Sequence, residues 1–542
     1  MKNVLRSSSS YQLASLLLLA INGSASVLYV DVNGTNPTPP YTNWAIAATN
    51  IQDAVDLANA GDTVLVTNGV YATGGRKWFD SGTNRVTLTN SITLQSVNGP
   101  AVTWIVGNRV PGIGQALTNA VRCVAIGSSA VLSGFTLTNG EAGTGNYPNG
   151  GGVMQTSSIS AAGTVTNCVL AGNLATNSVG GGAYRVILVN CQISGNSSGS
   201  GGGACSCTLL NCTIVSNTAT SGGGVFGGSV YGPSVLSNCT LMGNSAGNGG
   251  GAYGCALTNS ALIGNKASTY GGGAYGGTLA NCLLAGNSAG SRGGGSYSAS
   301  LVNCTVATNS STIQGGGVDE SQAVRNCIIY YNSAPFGPDI NGGGAFTNCC
   351  TTSLPGFGAN NFTNAPLFMN LNGADFHLQS NSPCINSGDN HFVSNTVDLD
   401  GNPRIRGGTV DLGAYEFQNP ASAISYAWLQ QYGVPTDGSS DFADFDGDGT
   451  SNWQEWIAGT NPTNFLSVLK LLSVSTGASG ITVNWQSVAN RTYYLQRSTN
   501  LSSPPAFSSI GSNIVGHAAT TSLEDTTATN AGPYFYRVGV QQ

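Results

Sequence analysis

Residues 249–265 read GGGAYGCALTNSALIGN, residues 271–287 read GGGAYGGTLANCLLAGN, and residues 293–309 read GGGSYSASLVNCTVATN. This unit of about 22 residues recurs from Gly150 to Cys349, with glycine triplets starting at Gly150, Gly180, Gly201, Gly222, Gly249, Gly271, Gly293, Gly315 and Gly342. Asn-Cys steps keep the same beat, from Asn167-Cys168 through Asn281-Cys282 to Asn348-Cys349, and Asn259-Ser260 fills the one gap. A period this short and regular specifies a solenoid. Each unit is too short for two helices and too rich in Gly, Ser, Thr and Asn for helix at all. Its apolar residues alternate, as at Cys282 and Leu284 or Cys304 and Val306, which is strand periodicity. Gly and Asn tolerate positive φ and suit the corners.

Three short strands and three turns use about 22 residues, and stacked coils place equivalent residues about 4.8 Å apart. The expected fold is all-β: a right-handed parallel β-helix, its hand following from the crossover rule for parallel strands. The Asn of each Asn-Cys step should form a hydrogen-bonded ladder at one corner, and its Cys a column pointing into the core.

These repeats resemble the pectate-lyase-like β-helix superfamily, and their G-G-A plus G-N rhythm is similar to the passenger domains of chlamydial polymorphic outer-membrane proteins. The resemblance implies a fold; polysaccharide lyases and hydrolases are among the activities that fold carries.

Only 7% of the 542 residues are charged, and the net charge is −6, which excludes the basic face a nucleic-acid binder needs. Lys2 and Arg6, the apolar run from Leu13 to Ile21 and the small residues Gly23 to Ser26 read as a secretory signal peptide over residues 1–26. That run is too short to span a membrane, so a secreted or cell-surface protein with no membrane span, and a monomer, is expected. Fourteen cysteines in an exported chain would ordinarily suggest disulfides. Column cysteines instead have parallel Cβ vectors too far apart to bridge, so stacked free thiols are expected. Cys123, Cys205, Cys207, Cys255, Cys350 and Cys384 lie off the column, and they are the candidates for pairing.

Residues 27–418 are read as the β-helix. Leu28 to Val32 is a strand, and Asn50 caps a short helix with Ile51, Ala54, Val55 and Ala58 on one face, closing the open end of the core. Residues 363–418 are read as the segment that closes the other end. Ser382-Pro383-Cys384-Ile385-Asn386-Ser387-Gly388-Asp389, Asp398-Leu399-Asp400-Gly401-Asn402-Pro403-Arg404 and Asp411 to Phe417 resemble the choice-of-anchor segment of secreted bacterial proteins, departing from it at Asn386, where that family has Asp. Its charged residues are expected to tie down the last coil.

Residues 419–465 form a linker, with a helix from Ser425 to Tyr432 and then Asp444-Phe445-Asp446-Gly447-Asp448-Gly449-Thr450-Ser451-Asn452-Trp453-Gln454-Glu455. The spacing fits a calcium loop at every position. Calcium takes six or seven oxygens from a flexible loop. Asp444, Asp446 and Asp448 would give carboxylates, Thr450 its carbonyl, Asn452 a ligand directly or through water, and Glu455 a bidentate carboxylate. The loop resembles those of EF-hand, dockerin and thrombospondin type 3 modules; as a single copy it is read as structural. Residues 466–542 alternate as strands and should form a small β-sandwich, similar to a fibronectin type III module.

Lyase chemistry needs a basic group near the α-proton, and hydrolysis needs two carboxylates flanking the bond. Between Gly150 and Cys349 the charged residues are only Arg185, Lys266, Arg292, Asp319, Glu320, Arg325 and Asp339. Asp319, Glu320 and Arg325 form one cluster, read as a surface salt bridge. In the N-terminal coils Arg76, Lys77, Asp80 and Arg85 also lack a carboxylate pair. The residue two places after each triplet is often aromatic: Tyr184, Phe226, Tyr253, Tyr275, Tyr297 and Phe346. Facing outward, this stripe would be a platform on which sugar rings stack; facing inward, it would be core. The sequence leaves both open. The expected function is a non-catalytic adhesion or glycan-binding scaffold with a polysaccharide or cell-surface ligand and calcium as cofactor. The alternative is a polysaccharide lyase or glycoside hydrolase.

Overall fold

The computed structural model describes residues 25–541 apart from 78–81, 110–118, 144–147, 157–161, 229–230, 490, 503–506 and 530–531. The expected signal peptide therefore lies, but for its last two residues, outside the described residues, as does Asp80.

The chain winds into a right-handed parallel β-helix. Sheets of 14, 12 and 12 strands run along it, parallel but for one antiparallel pair at Arg76–Lys77. Where three strands per coil were expected, the middle coils carry a fourth, in a 7-stranded sheet from Leu174–Val179 to Ser310–Ser311. The coil beginning at Gly249 shows the pattern, with strands Ala252–Tyr253, Ala256–Thr258, Ala261–Ile263 and Lys266–Tyr270. Its four corners, Gly249, Gly254, Asn259 and Gly264, have φ of 64°, 61°, 47° and 61°, a region open to Gly and tolerated by Asn. The rest of the triplet answers to contact. A Cβ on Gly250 would sit 2.4 Å from the Lys266 carbonyl oxygen and 2.5 Å from that of Gly272.

Register is strict, with Tyr253 opposite Tyr275, Leu257 opposite Leu279 and Leu262 opposite Leu284. Leu257, Leu262 and Leu284 belong to one continuous buried core. The Asn-Cys asparagines take positive φ and link side chain to side chain along an outer corner, as in Asn211 Nδ2 to Asn190 Oδ1 at 3.3 Å and Asn238 to Asn211 at 3.2 Å. A second asparagine ladder, made by the G-N asparagines, lies inside. Asn173, Asn196, Asn217, Asn244, Asn265, Asn287, Asn309 and Asn332 are all at least nine-tenths buried. From Asn196 on, each Oδ1 accepts from the backbone N–H and from Nδ2 of the asparagine in the coil before; Asn265 Oδ1 receives Asn244 N at 3.0 Å and Nδ2 at 2.9 Å. The same Nδ2 also donates to a core carbonyl, Ile214 O at 2.9 Å for Asn244. The ladder ends on Asp339, whose Oδ1 accepts Asn332 N at 3.0 Å and Nδ2 at 2.8 Å.

All fourteen cysteines are buried and free, those off the column included. Burial pushes thiols such as Cys168 and Cys255 up to about 12, so they stay protonated and pack as small apolar groups.

Helix α1 (Ile51–Leu57) starts at Asn50, whose Oδ1 accepts Gln52 N at 2.9 Å, and it buries Ile51, Ala54 and Val55 against the first coil. Residues 363–418, read as an end cap, instead run back along the flank of the last coils. Phe368, Phe376, Leu378, Ile385 and Leu412 pack on the outward side chains of Leu283, Ala307 and Ile328. Corner asparagines hold this segment, with Asn281 donating to Val397 O at 2.7 Å and Asn326 to Asp389 O at 2.9 Å. Two helices follow: α2 (Tyr426–Tyr432), capped by Ser425, and α3 (Asn452–Ala458). The C-terminal residues form two three-stranded antiparallel sheets around buried Trp485, Tyr493, Val483 and Leu495. No described helix is long and apolar enough to cross a membrane.

Two outcomes are expected from this interior. Thiol titration of denatured, unreduced protein should find all fourteen cysteines free; oxidation of the column cysteines would contradict the packing. Asn265→Ala removes the acceptor for two Asn244 donors, so it should destabilise the β-helix by about 2 kcal/mol or more, read from the urea-unfolding midpoint.

Candidate functional site

Three places bear on function: the acidic loop before α3, the aromatic stripe, and the ion cluster at the stripe's end. The loop is shaped by its own carboxylates. Asp444 Oδ1 accepts Gly447 N at 2.8 Å and its Oδ2 accepts Gly449 N at 2.9 Å. Asp448 Oδ1 accepts Thr450 N at 2.7 Å. Asp444, Asp446 and Asp448 each offer an oxygen within 4.8 Å of the others. Ser451 caps α3 reciprocally with Gln454. This brings Asn452 and Glu455, both fully buried, to the loop's inner side. Asp446 Oδ2, Asp448 Oδ2, Asn452 Oδ1 and Glu455 Oε2 are buried without a hydrogen-bond partner. Burial, then the charges of Asp446 and Asp448, push the Glu455 carboxyl up to about 7. Buried oxygens of this kind are costly unless something answers them. The set is all hard oxygen, the donor chemistry of a calcium site, and the residues present fit one.

The stripe is real but shorter than expected and differently exposed. In the third sheet the alanines face the core and the next residue faces outward, as Ala252 and Tyr253 do. Tyr184 lies on the stripe yet is buried with Met154, Val179 and Cys205. Phe346 is not on it: it sits in the first sheet beside Val324 and in the core. The reason is local. Gly337-Pro338-Asp339-Ile340-Asn341 continues the coil before it, and Asn341 pairs with Asp319, so the triplet at Gly342 is out of step. Phe226, Tyr253, Tyr275 and Tyr297 remain half-buried. Phe226, Tyr253 and Tyr275 stack at 4.9 and 4.6 Å between successive centroids, and Tyr297 follows at 5.3 Å, tilted by 31°. Tyr270 also stacks on Tyr297 at 5.0 Å, and the Arg292 guanidinium lies 5.4 Å over its ring. The faces of Tyr253 and Tyr275 are thus used within the column, and a continuous platform for stacking sugars is not what it offers. It presents ring edges and a row of tyrosine hydroxyls.

The ion cluster also differs from expectation. Asp319 pairs with Arg292, at 2.9 and 3.0 Å through both carboxylate oxygens, and not with Arg325. Its side chain is fully buried, so this is not a surface bridge. Glu320 reaches the same guanidinium at 2.9 Å. Burial raises the Asp319 carboxyl while Arg292 lowers it, and the net is upward. Arg325 lies 5.0 Å over the Phe392 ring. Asp339 ends the inner ladder and takes the Thr352 hydroxyl at 2.5 Å. All three carboxylates of the regular coils are therefore committed. In the N-terminal coils Arg76 pairs with Asp56, and Arg85 donates to Val106 O at 2.8 Å. The charges of the flanking segment bind it to itself and not, as expected, to the last coil: Arg404 to Glu416 at 2.7 Å, and Asp411 accepting from Asn386 N and Phe417 N at 2.7 and 2.6 Å.

No protein-family description and no curated protein matches the chain. Among solved structures it is similar to the pectate lyase Pel9A, at 16% identity and a TM-score of 0.41 over 73% of this chain and 97% of that one. It is also similar to the A-module of the mannuronan C-5 epimerase AlgE4 of Azotobacter vinelandii, at 13% and 0.32 over 61% and 99%. Tailspike protein 3 of bacteriophage CBA120 matches at 11% and 0.27 over 60% and 57%. Likenesses this distant say nothing of activity.

The loop has a pH consequence. Without a cation Glu455 holds its proton to about 7 in the fold, against an ordinary 4.5. Between those values the folded state binds more protons, so the junction's stability is greatest at the acidic end and falls as pH rises through 7. Proteolysis between Asn419 and Asn464 in chelator should be slower at pH 5 than at pH 8, and calcium should slow it at pH 8.

Proposed function

We propose that the chain is an extracellular, non-catalytic scaffold that binds polysaccharide along its coils and holds calcium in the loop from Asp444 to Glu455. The observation that carries the binding reading is the column from Phe226 to Tyr297, which repeats one edge-on aromatic group per coil. A periodic surface suits a periodic ligand, because each added contact is made at high effective concentration. The carboxylates that hydrolysis would require are occupied in ion pairs and ladder ends. Calcium would supply positive charge to the loop. Asp444, Asp446 and Asp448 with Glu455 would hold it, joined by the Thr450 carbonyl and Asn452.

The second reading, a polysaccharide lyase or hydrolase, is favoured by one observation: beside buried Asp319 at the end of the column, Glu320 keeps its side chain half-exposed. A panel of plant, algal and bacterial polysaccharides decides between them. Retention on a polymer without release of reducing or unsaturated ends, weakened by Tyr275→Ala, supports the scaffold; release of ends abolished by Asp319→Asn replaces it with the enzyme. For the metal, titration calorimetry of the full chain should show one calcium site, weakened at least tenfold by Glu455→Ala, which removes the bidentate ligand. Heat no different from buffer would remove calcium from the reading.

A further inference from the structure

The inner rings of the stripe are stacked on one another, but partly exposed indoles gather in another part of the molecule. A cleft of ≈ 910 Å³ opens where the flanking segment, α2, α3 and the C-terminal sandwich meet. Trp453, Trp456 and Ile457 stand on one face of α3 at i, i+3 and i+4, and Trp428 comes from α2. All three indoles are partly exposed. Trp428 meets Tyr432 edge-on, Trp453 meets Phe442 at 40°, and among the described ring contacts Trp456 has no aromatic neighbour. Each packs in part on the hydrophobic cluster beneath it and is not stacked with another ring as Tyr253 and Tyr275 are.

The polar lining mixes carboxamides with hydroxyls such as Thr363, Thr409 and Ser425. Asn360, Asn364 and Gln431 bring carboxamides to it, whereas those of Asn361 and Asn390 are spent at both ends on the backbone. Asn386 also lines the cleft, and its Oδ1 is fully buried with no hydrogen-bond partner. The ionisable groups have prior engagements. Arg491 donates to Trp456 O at 3.2 Å, and Asp389 accepts the His391 ring nitrogen at 2.8 Å. Carboxamides carry a donor and an acceptor side by side, matching sugar hydroxyls, which are both; indole faces match the C–H face of a pyranose. A mostly apolar cleft with a few convergent polar groups is the form of a ligand site. We infer that this cleft is a binding site for an uncharged oligosaccharide. The inference rests on the glycan-binding reading above but places the ring-stacking contacts in the cleft and not on the coils.

Tryptophan emission of the full chain, in calcium, is titrated with cellohexaose, xylohexaose, maltohexaose and mannohexaose, and with hexagalacturonate as the charged comparison. Saturable quenching or a blue shift with a neutral hexasaccharide, and slower oxidation of the indoles by N-bromosuccinimide when it is bound, are expected. Trp456→Ala and Trp428→Ala should each raise its Kd at least tenfold. Gln431→Ala, at an exposed position that leaves packing intact, should raise it about threefold. Should the tryptophan variants misfold, Gln431→Ala and the wild-type protection carry the test. Absence of binding by every neutral hexasaccharide, tighter binding of hexagalacturonate, or unchanged affinity in the variants would overturn the cleft. If a polysaccharide still binds the wild-type chain in any of those cases, the scaffold reading stands without it.

Discussion

In a stack of parallel coils each side chain has its own counterpart as nearest neighbour, about 4.8 Å above and below. A residue type survives only if it is compatible with itself at that distance. Asparagine is, because its amide carries donor and acceptor together, and both asparagine columns use this. Leucine and cysteine are, as apolar fillers. Tyrosine is, by stacking. A repeated charge is not, since like charges directly opposite repel. The low charge of the chain is thus a consequence of its fold. Asp319 and Asp339 appear only near the last coils, where the pattern breaks: Asp319 interrupts the aromatic column with an arginine beside it, and Asp339 ends the inner ladder.

The same rule explains what the sequence could and could not reveal. The 22-residue beat made the solenoid, the leucine and cysteine columns and the Asn50-capped helix legible, because each is a local pattern repeated. The fourth strand was missed because it follows the G-N corner with Ser, Ala and Thr, a composition indistinguishable from a turn. The inner asparagine ladder was missed because the Asn of G-N and the Asn of Asn-Cys look alike in sequence while one points in and the other out. Phe346 went astray because a glycine triplet was taken for the coil's own corner when Gly337 to Asn341 already filled that place.

The closing segment shows a different limit. Its turn motifs were readable, but its position was not, since packing on the flank depends on outward residues such as Leu283 and Ile328 that a repeat count treats as surface. The calcium-type loop was the reverse case. Its spacing was complete in sequence, and the fold added the burial of Asn452 and Glu455 and the orphaned oxygens that give the spacing chemical meaning. The cleft had no sequence signature, because its tryptophans and amides come from segments as far apart as Asn348 and Trp456 and converge only through the flanking segment.

The end of the inner ladder gives the solenoid a direction. From Asn173 to Asn332 every amide-to-amide bond runs from Nδ2 to the Oδ1 on its C-terminal side, so this chain of hydrogen bonds is polarised one way, and such chains strengthen cooperatively. Asp339 receives the last two N–H groups with a charge and has no side-chain N–H of its own to pass on. It works as a full stop. A coil duplicated anywhere upstream can join the ladder by offering the same amide to both sides, whereas a coil appended downstream finds no donor waiting. The length of this protein can therefore drift by whole repeats in its middle while its last coil stays where it is.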